Sequence, residues 1–222
     1  NKVYGYSWYK LAYVRWNQGD FAAAIDAFKK TIDYGVQYSQ LPGAGKLADS
    51  ARRDIVPVYA LKGDPLLAYN FFRNISGDQP GSNEKTFKMM NDLGQNYLDT
   101  GHYQEAISLY KDLMVRDRSG DKLCFYQSKV SEAVLALRSG NKDAVKGVLD
   151  EQAKLYNKFK NENHSAESKF ECANRTAELL TETAMSWHVE ALGSGGQRGT
   201  GDTKTMLLAA GVYKHVVDNF KQ

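Results

Sequence analysis

The sequence is poor in proline, in cysteine and in net charge. Its 222 residues include 4 Pro and 2 Cys, and 29 Lys and Arg against 26 Asp and Glu leave a net charge of +3. So few prolines argue against a Pro-rich linker or a disordered chain. The small positive charge is spread along the chain, so it does not form the basic patch of a nucleic-acid-binding domain.

Two further absences concern membranes and chemistry. No apolar run approaches the ~18–20 residues that a membrane-spanning helix needs, so we expect no direct membrane insertion. The four histidines show no metal-ligand spacing, and no nucleophile-elbow motif supports a hydrolase. Segment 42–47 fails as a phosphate loop because no strand is predicted before it and Leu47 replaces the required hydroxyl residue. The sequence predicts no catalytic residue, no metal site and no cofactor.

Aromatic residues, by contrast, are abundant and recur in a repeated pattern. The chain has 14 Tyr, 9 Phe and 3 Trp. In each repeat a glycine is predicted to end one helix in the left-handed conformation, and in three of the four an Asp or Asn directly after it can cap the next helix. A small residue and an aromatic four positions later then pack that helix on its neighbours. The glycines of this pattern are Gly19, Gly63, Gly101 and Gly140, and the small–aromatic pairs are Ala24 with Phe28, Ala68 with Phe72, and Ala106 with Tyr110.

The last part of the chain predicts one more helix pair with a longer turn. Residues 165–192 are predicted to form one long helix, because apolar residues recur there at spacings of three and four. The Gly-rich segment 193–202 is predicted to be a flexible loop. Residues 203–220 then predict a second helix, in which Ala209 and Tyr213 repeat the small–aromatic spacing.

The residues of two repeats carry a family resemblance. The third repeat has Leu93, Gly94, Tyr97, Gly101, Tyr103, Ala106 and Tyr110, and the first has Trp8, Leu11, Ala12, Gly19, Phe21, Ala24 and Phe28. These residues resemble the tetratricopeptide repeat family, although the spacing between the glycines exceeds the family's usual ~34 residues. The resemblance implies an all-α fold, a right-handed α-solenoid of about five antiparallel helix pairs with repeats longer than the consensus.

The resemblance also sets the expected domain organisation. We expect approximate repeats at 4–36, 44–80, 85–118, 121–160 and 165–220, within a single domain that spans residues 1–222. Because no polar cap is obvious on the last helix, the chain is expected to be part of a longer protein.

The function that the resemblance implies is a non-enzymatic scaffold that binds a partner peptide or helix in a concave groove. A stripe on the first helix is the main candidate for this contact, and a preceding repeat packed on the same stripe is the alternative. Candidates elsewhere form a mixed polar surface with scattered positive charge, suited to an acidic or extended peptide. The stripe is Tyr6, Tyr9, Tyr13 and Trp16, and the other candidates are Arg53, Asn91, Gln95 and Arg138.

The two cysteines allow two interpretations. Cys124 and Cys172 lie near the starts of neighbouring first helices, which in such an array run side by side about 8–10 Å apart. A disulfide is the favoured interpretation, and two buried free thiols are the alternative. A disulfide would place the protein in an oxidising compartment, in the periplasm or at the outer membrane, whereas free thiols allow a cytoplasmic location.

A finer resemblance points to bacterial cell-envelope tetratricopeptide scaffolds, of the outer-membrane assembly, envelope coordination or gliding-motility type. It depends on residues 184–191, on the cysteine pair and on the long last turn. It implies a protein partner in a complex that could be associated with a membrane.

Two other classes of function stay open. An all-helical enzyme acting on a cell-wall or polysaccharide substrate needs clustered carboxylates, or a His–Tyr pair, facing one groove. A helical-repeat RNA binder needs a regular basic groove. The sequence offers neither signature.

Overall fold

A computed structural model describes residues 2–117, 120–138 and 140–220, and within these ranges the chain is almost entirely helical. Ten α-helices of the described residues follow one another along the chain, so the predicted all-α class is confirmed. Their bounds are α1 Lys2–Asn17, α2 Phe21–Gln37, α3 Ala44–Lys62, α4 Ala68–Ile75, α5 Glu84–Asp99, α6 Tyr103–Arg116, α7 Leu123–Leu137, α8 Lys142–Asn161, α9 Ala166–Leu192 and α10 Thr203–Asn219.

The chain divides into two compact units, Asn1–Leu109 and Tyr110–Gln222, and the boundary falls within α6. Arg118, the expected end of the third repeat, and both ends of the expected single domain lie outside the described residues. Among the described residues, no helix is both long and apolar enough to cross a bilayer.

The first unit is built on close approaches between helices. In succession, α1 packs on α2, α2 on α3 and α3 on α5, and α1 also contacts α3. Ala12, Ala24 and Phe28 are fully buried where the first pair meets. At Gly35 a Cβ atom would lie 2.4 Å from the Cβ of Ala48, which is a clash, so α2 and α3 can approach this closely only because residue 35 is a glycine.

The turns of the helix pairs follow the predicted capping chemistry in part. The carboxylate of Asp20 accepts the Ala23 backbone N–H at 3.1 Å, and the Asn141 side chain accepts that of Ala144 at the same distance. Gly19 and Gly101 have the positive φ that the pattern predicts.

The left-handed conformation predicted for Gly63 and Gly140 is wrong. Gly63 is extended, with φ −80° and ψ 157°, and Gly140 is not among the glycines with positive φ. Glycine is needed at position 63 for a different reason: the Tyr59 ring lies so close that a Cβ atom there would be 2.3 Å from it. That ring folds back over Gly63, and its hydroxyl donates to the Asp64 carbonyl at 2.8 Å.

The second unit has two small cores. In the larger, α8, α9 and α10 meet through a mainly aliphatic cluster around Trp187, which includes Leu149, Leu180 and Ala184. In the smaller, a disulfide between Cys124 of α7 and Cys172 of α9 lies among aromatic side chains, with Cα atoms 5.5 Å apart. The two sulfurs thus lie at disulfide distance, which agrees with the favoured interpretation of the two cysteines.

The Gly-rich segment after α9 is a short β-hairpin rather than the predicted loop. Its strands are β1 Gly193–Ser194 and β2 Gln197–Arg198, paired antiparallel. Beyond β2, the Thr200 and Gly201 N–H groups donate to the last carbonyls of α9, so the hairpin docks on the end of that helix. A Cβ at Gly199 would lie 2.5 Å from the Ala191 carbonyl, and this contact accounts for a glycine there.

Candidate functional site

Two tyrosines of the predicted stripe converge on one carboxylate of the next helix pair. The hydroxyls of Tyr9 and Tyr13, one turn apart on α1, both donate to Oδ2 of Asp54 on α3. The Tyr13 bond is 2.8 Å long, and the two hydroxyl oxygens lie 3.5 Å apart. We call these three residues the Tyr–Asp cluster. It fixes α1 against α3 through side chains that remain partly accessible.

The electrostatics of the cluster keep both hydroxyls protonated. Burial, and then hydrogen bonding to Asp54, raise the pKa of Tyr9 well above its usual value of 10.0. Burial also raises the pKa of Tyr13. Both groups are therefore donors throughout the physiological range, and the Asp54 carboxylate is the acceptor that they share.

The rings of the same two tyrosines pack inside the first helix pair. Both make edge contacts with the buried Phe28 of α2, with centroids 6.0 Å from Tyr9 and 5.6 Å from Tyr13. Trp16, half-buried, lies beside Tyr13 at 5.8 Å. The aromatic rings of the stripe thus pack on α2, while the hydroxyls of Tyr9 and Tyr13 bond to α3.

Tyr6, the first residue of the stripe, has a different position. Its side chain is half exposed and lines an apolar cavity of about 380 Å³. The cavity lies between the start of α1 and the connection from α2 to α3, where Tyr34, Leu41 and Leu47 provide much of its wall. We call it the α1 pocket.

Of the remaining candidates, three lie on α3 and α5 of the first unit. Arg53 is exposed and donates to the Ser50 hydroxyl at 3.1 Å. Asn91 and Gln95, one turn apart on α5, are half-buried, and the Gln95 amide donates to Asp99 at 2.8 Å. Arg53 directly precedes Asp54 on α3, so its positive charge lies on the same turn of the helix as the carboxylate of the Tyr–Asp cluster.

Arg138 belongs to the second unit, where it is exposed at the end of α7. The contact role that the sequence predicts for all eight candidates stays a prediction. The residue that sequence reasoning missed is Asp54. The sequence offers one indication of its role: Asp54 lies between the candidate residue Arg53 and the buried Ile55 and Val56.

Comparison with known families gives the identity of two segments. The family model described as tetratricopeptide repeat matches residues 5–34 and 87–114, about a quarter of the chain. These two segments match the tetratricopeptide repeat. These matches lie within the first and third expected repeats, 4–36 and 85–118, where the resemblance is strongest. No curated protein and no solved structure matches the chain significantly.

Within residues 2–117, 120–138 and 140–220, no group of three or more His, Cys, Asp and Glu side chains is placed to hold a metal ion. Tetratricopeptide repeats generally mediate protein–protein interaction, and proteins of this family are typically non-catalytic scaffolds.

Proposed function

We propose that the protein is a non-enzymatic scaffold that binds a partner peptide along the accessible side of α1, α3 and α5. The observation that carries this proposal is the juxtaposition of the α1 pocket and the Tyr–Asp cluster on one helix face. Tyr6, Tyr9 and Tyr13 recur at spacings of three and four, so they share one side of α1. Tyr6 and Tyr13 are separated by about 10 Å along the helix axis.

These two features suit different parts of one ligand. The α1 pocket is apolar and lies in the size range of small-ligand sites, roughly 300–1,000 Å³, so it fits a large apolar side chain. The Tyr–Asp cluster and Arg53 offer hydrogen-bonding groups about three residues of extended chain further on. We therefore expect an extended peptide with an apolar anchor followed by polar residues, and the exposed Arg53 favours an acidic group among them.

Site-specific photocrosslinking in the native cell tests this surface. A photoreactive amino acid is introduced at Tyr6 or Gln95, and at Lys29 as the control, because Lys29 is exposed on α2 away from the proposed surface. We expect the same crosslinked protein at positions 6 and 95 and little at position 29. Equal yields at all three positions would contradict the proposal.

We also propose that the scaffold works outside the cytosol, in a bacterial cell envelope and in a complex that can be membrane-associated. The disulfide supports this location, because disulfides persist in oxidising compartments and are rare in the cytosol. Thiol labelling of denatured protein, isolated from native cells without reductant, tests it. Two labelled cysteines per chain would contradict an oxidising location, and none is expected.

A further inference from the structure

The second unit contains a cleft that none of the preceding assignments uses. It has a volume of about 390 Å³ and lies between the end of α7, the start of α8 and the last turns of α9. Its apolar wall includes the half-buried Leu135 of α7 and Leu179 of α9. Trp187, only 6% exposed, belongs to the buried cluster against which both leucines pack. We call this cavity the α9 cleft.

The polar groups of the α9 cleft are mainly on α9 itself. Glu182, Ser186 and Glu190 line it at spacings of four, so all three lie along one side of the helix. The two carboxylates are therefore separated by about 12 Å along the helix axis. The cleft has an acidic group towards each end and aliphatic surface between them.

One of the two carboxylates is already neutralised, and the other is not. Lys142, the cationic side chain of the lining, donates to Glu190 at 2.7 Å. In the described part of the chain, no hydrogen bond or ion pair involves the Glu182 carboxylate. The charges of Glu182, Glu190 and Lys142 sum to −1, so one bound basic side chain at Glu182 would bring the total to zero.

We propose that the α9 cleft binds a lysine or arginine side chain of a partner polypeptide. The aliphatic stem lies against Leu135 and Leu179, and the cationic head pairs with Glu182. Long basic side chains suit such a site because they bury their methylenes on apolar surface while the charge stays at the rim. The occupant is thus opposite in charge to the acidic group expected beside Arg53 in the first unit, and the proposal does not depend on that surface.

A pair of short peptides tests the proposal on the full, oxidised chain. The probes are acetylated and amidated Gly-Gly-Arg-Gly-Gly and the same peptide with neutral citrulline in place of arginine. Binding is followed by NMR at the Trp187 indole N–H and the Ser186 amide. We expect saturable shifts with the arginine peptide at millimolar concentration, and at least threefold weaker binding of the citrulline peptide.

Matched variants then assign the binding to Glu182. We expect Glu182→Gln to weaken binding of the arginine peptide about threefold. Glu171→Gln, an exposed site on the same helix outside the cleft, is the control and should leave the affinity unchanged. Equal affinity for both peptides, no loss in Glu182→Gln, or no shift at either probe would each overturn the proposal. So would tighter binding of the matching glutamate peptide, because it would assign the cleft to anions.

Discussion

The two units differ in how closely they follow the small–aromatic repeat pattern. In the first, the small residues Ala24, Ala68 and Ala106 of the repeat pattern are fully buried, and most of both family matches lies there. In the second, the fourth repeat has the larger Val145 at this position and only the fifth has an alanine, Ala209. No segment beyond residue 114 matches the family model.

The second unit adds covalent and polar links in place of the regular pattern. The disulfide joins α7 to α9, and beside it the Gln152 amide donates to the Thr176 hydroxyl at 2.8 Å, with both side chains fully buried. The comparison teaches that a weak repeat pattern can be compensated by a few specific bonds. It leads to four predictions, from the largest expected effect to the smallest.

The largest effect is expected from removing the disulfide. The double substitution Cys124→Ala and Cys172→Ala should lower the free energy of unfolding by about 4 kcal/mol, because the bond closes a loop with a sequence separation of 48. Denaturant unfolding measures the loss, and hydrogen exchange should locate it in α7 to α9 rather than in α1 to α3. Reducing the wild-type protein should reproduce it, and a loss below about 1 kcal/mol would show that packing alone holds the second unit.

The second prediction tests whether the first unit needs a small residue at the buried position 24 of α2. Ala24→Val adds two methyl groups where no space exists, and we expect a loss of about 2 kcal/mol in denaturant unfolding. Ala22→Val, an exposed site on the same helix, is the control because it shares the change in helix propensity. Similar losses in the two variants would mean that close approach does not explain the alanine.

The buried polar pair should contribute less than the disulfide beside it. Thr176→Val removes the acceptor of the Gln152 amide and is expected to cost about 1.5 kcal/mol, since a buried donor loses its main partner. Adding Gln152→Leu removes the orphaned group, so the double variant should regain part of that loss. Additive losses in the two single variants, measured as a double-mutant cycle, would contradict a direct interaction.

The smallest effect is expected from the Tyr59 hydroxyl of the first unit, whose contribution to stability should fall at alkaline pH. Burial, and then the nearby Asp64, raise the pKa of Tyr59 to about 12. The folded state therefore holds the Tyr59 proton more tightly than the unfolded state does. The resulting stabilisation of the folded protein is complete below pH 10 and is lost as the pH rises towards about 12.

Tyr59→Phe should therefore cost about 1 kcal/mol near neutral pH, through the lost hydrogen bond to Asp64, and less at pH 11. Urea unfolding at both pH values measures the change. Tyr38→Phe, at an exposed position on the same unit, is the control and should keep the wild-type pH dependence. A cost that does not shrink at high pH would contradict the raised pKa.

Much of the fold could be predicted because its signals are local. Residues 165–192 predict α9 Ala166–Leu192 almost to the residue, because its N-cap Ser165 and its final glycine are readable from sequence. The hairpin after α9 could not be predicted, since its backbone bonds to the end of the helix depend on docking, and glycine content alone also fits a loop. For the same reason the pattern misassigned Gly63, whose role depends on a ring that folds back over it.

The candidate surface was predictable only as a stripe of residue types. Spacing places Tyr9 and Tyr13 on one face of α1, but their shared acceptor, Asp54, is more than forty residues away in sequence. Helical periodicity carries no information on which side chain of another helix lies opposite. The α9 cleft could not be predicted for the same reason, because its lining comes from α7, α8 and α9 together.

The sequence by itself determined the helices and the two segments that match the tetratricopeptide repeat, because periodicity, caps and small–aromatic spacings act within about forty residues. Tertiary structure alone decided which hydroxyls meet which carboxylate, that the two sulfurs bond, and where the cavities lie. Those features depend on distances between helices, which the packing of whole side chains sets.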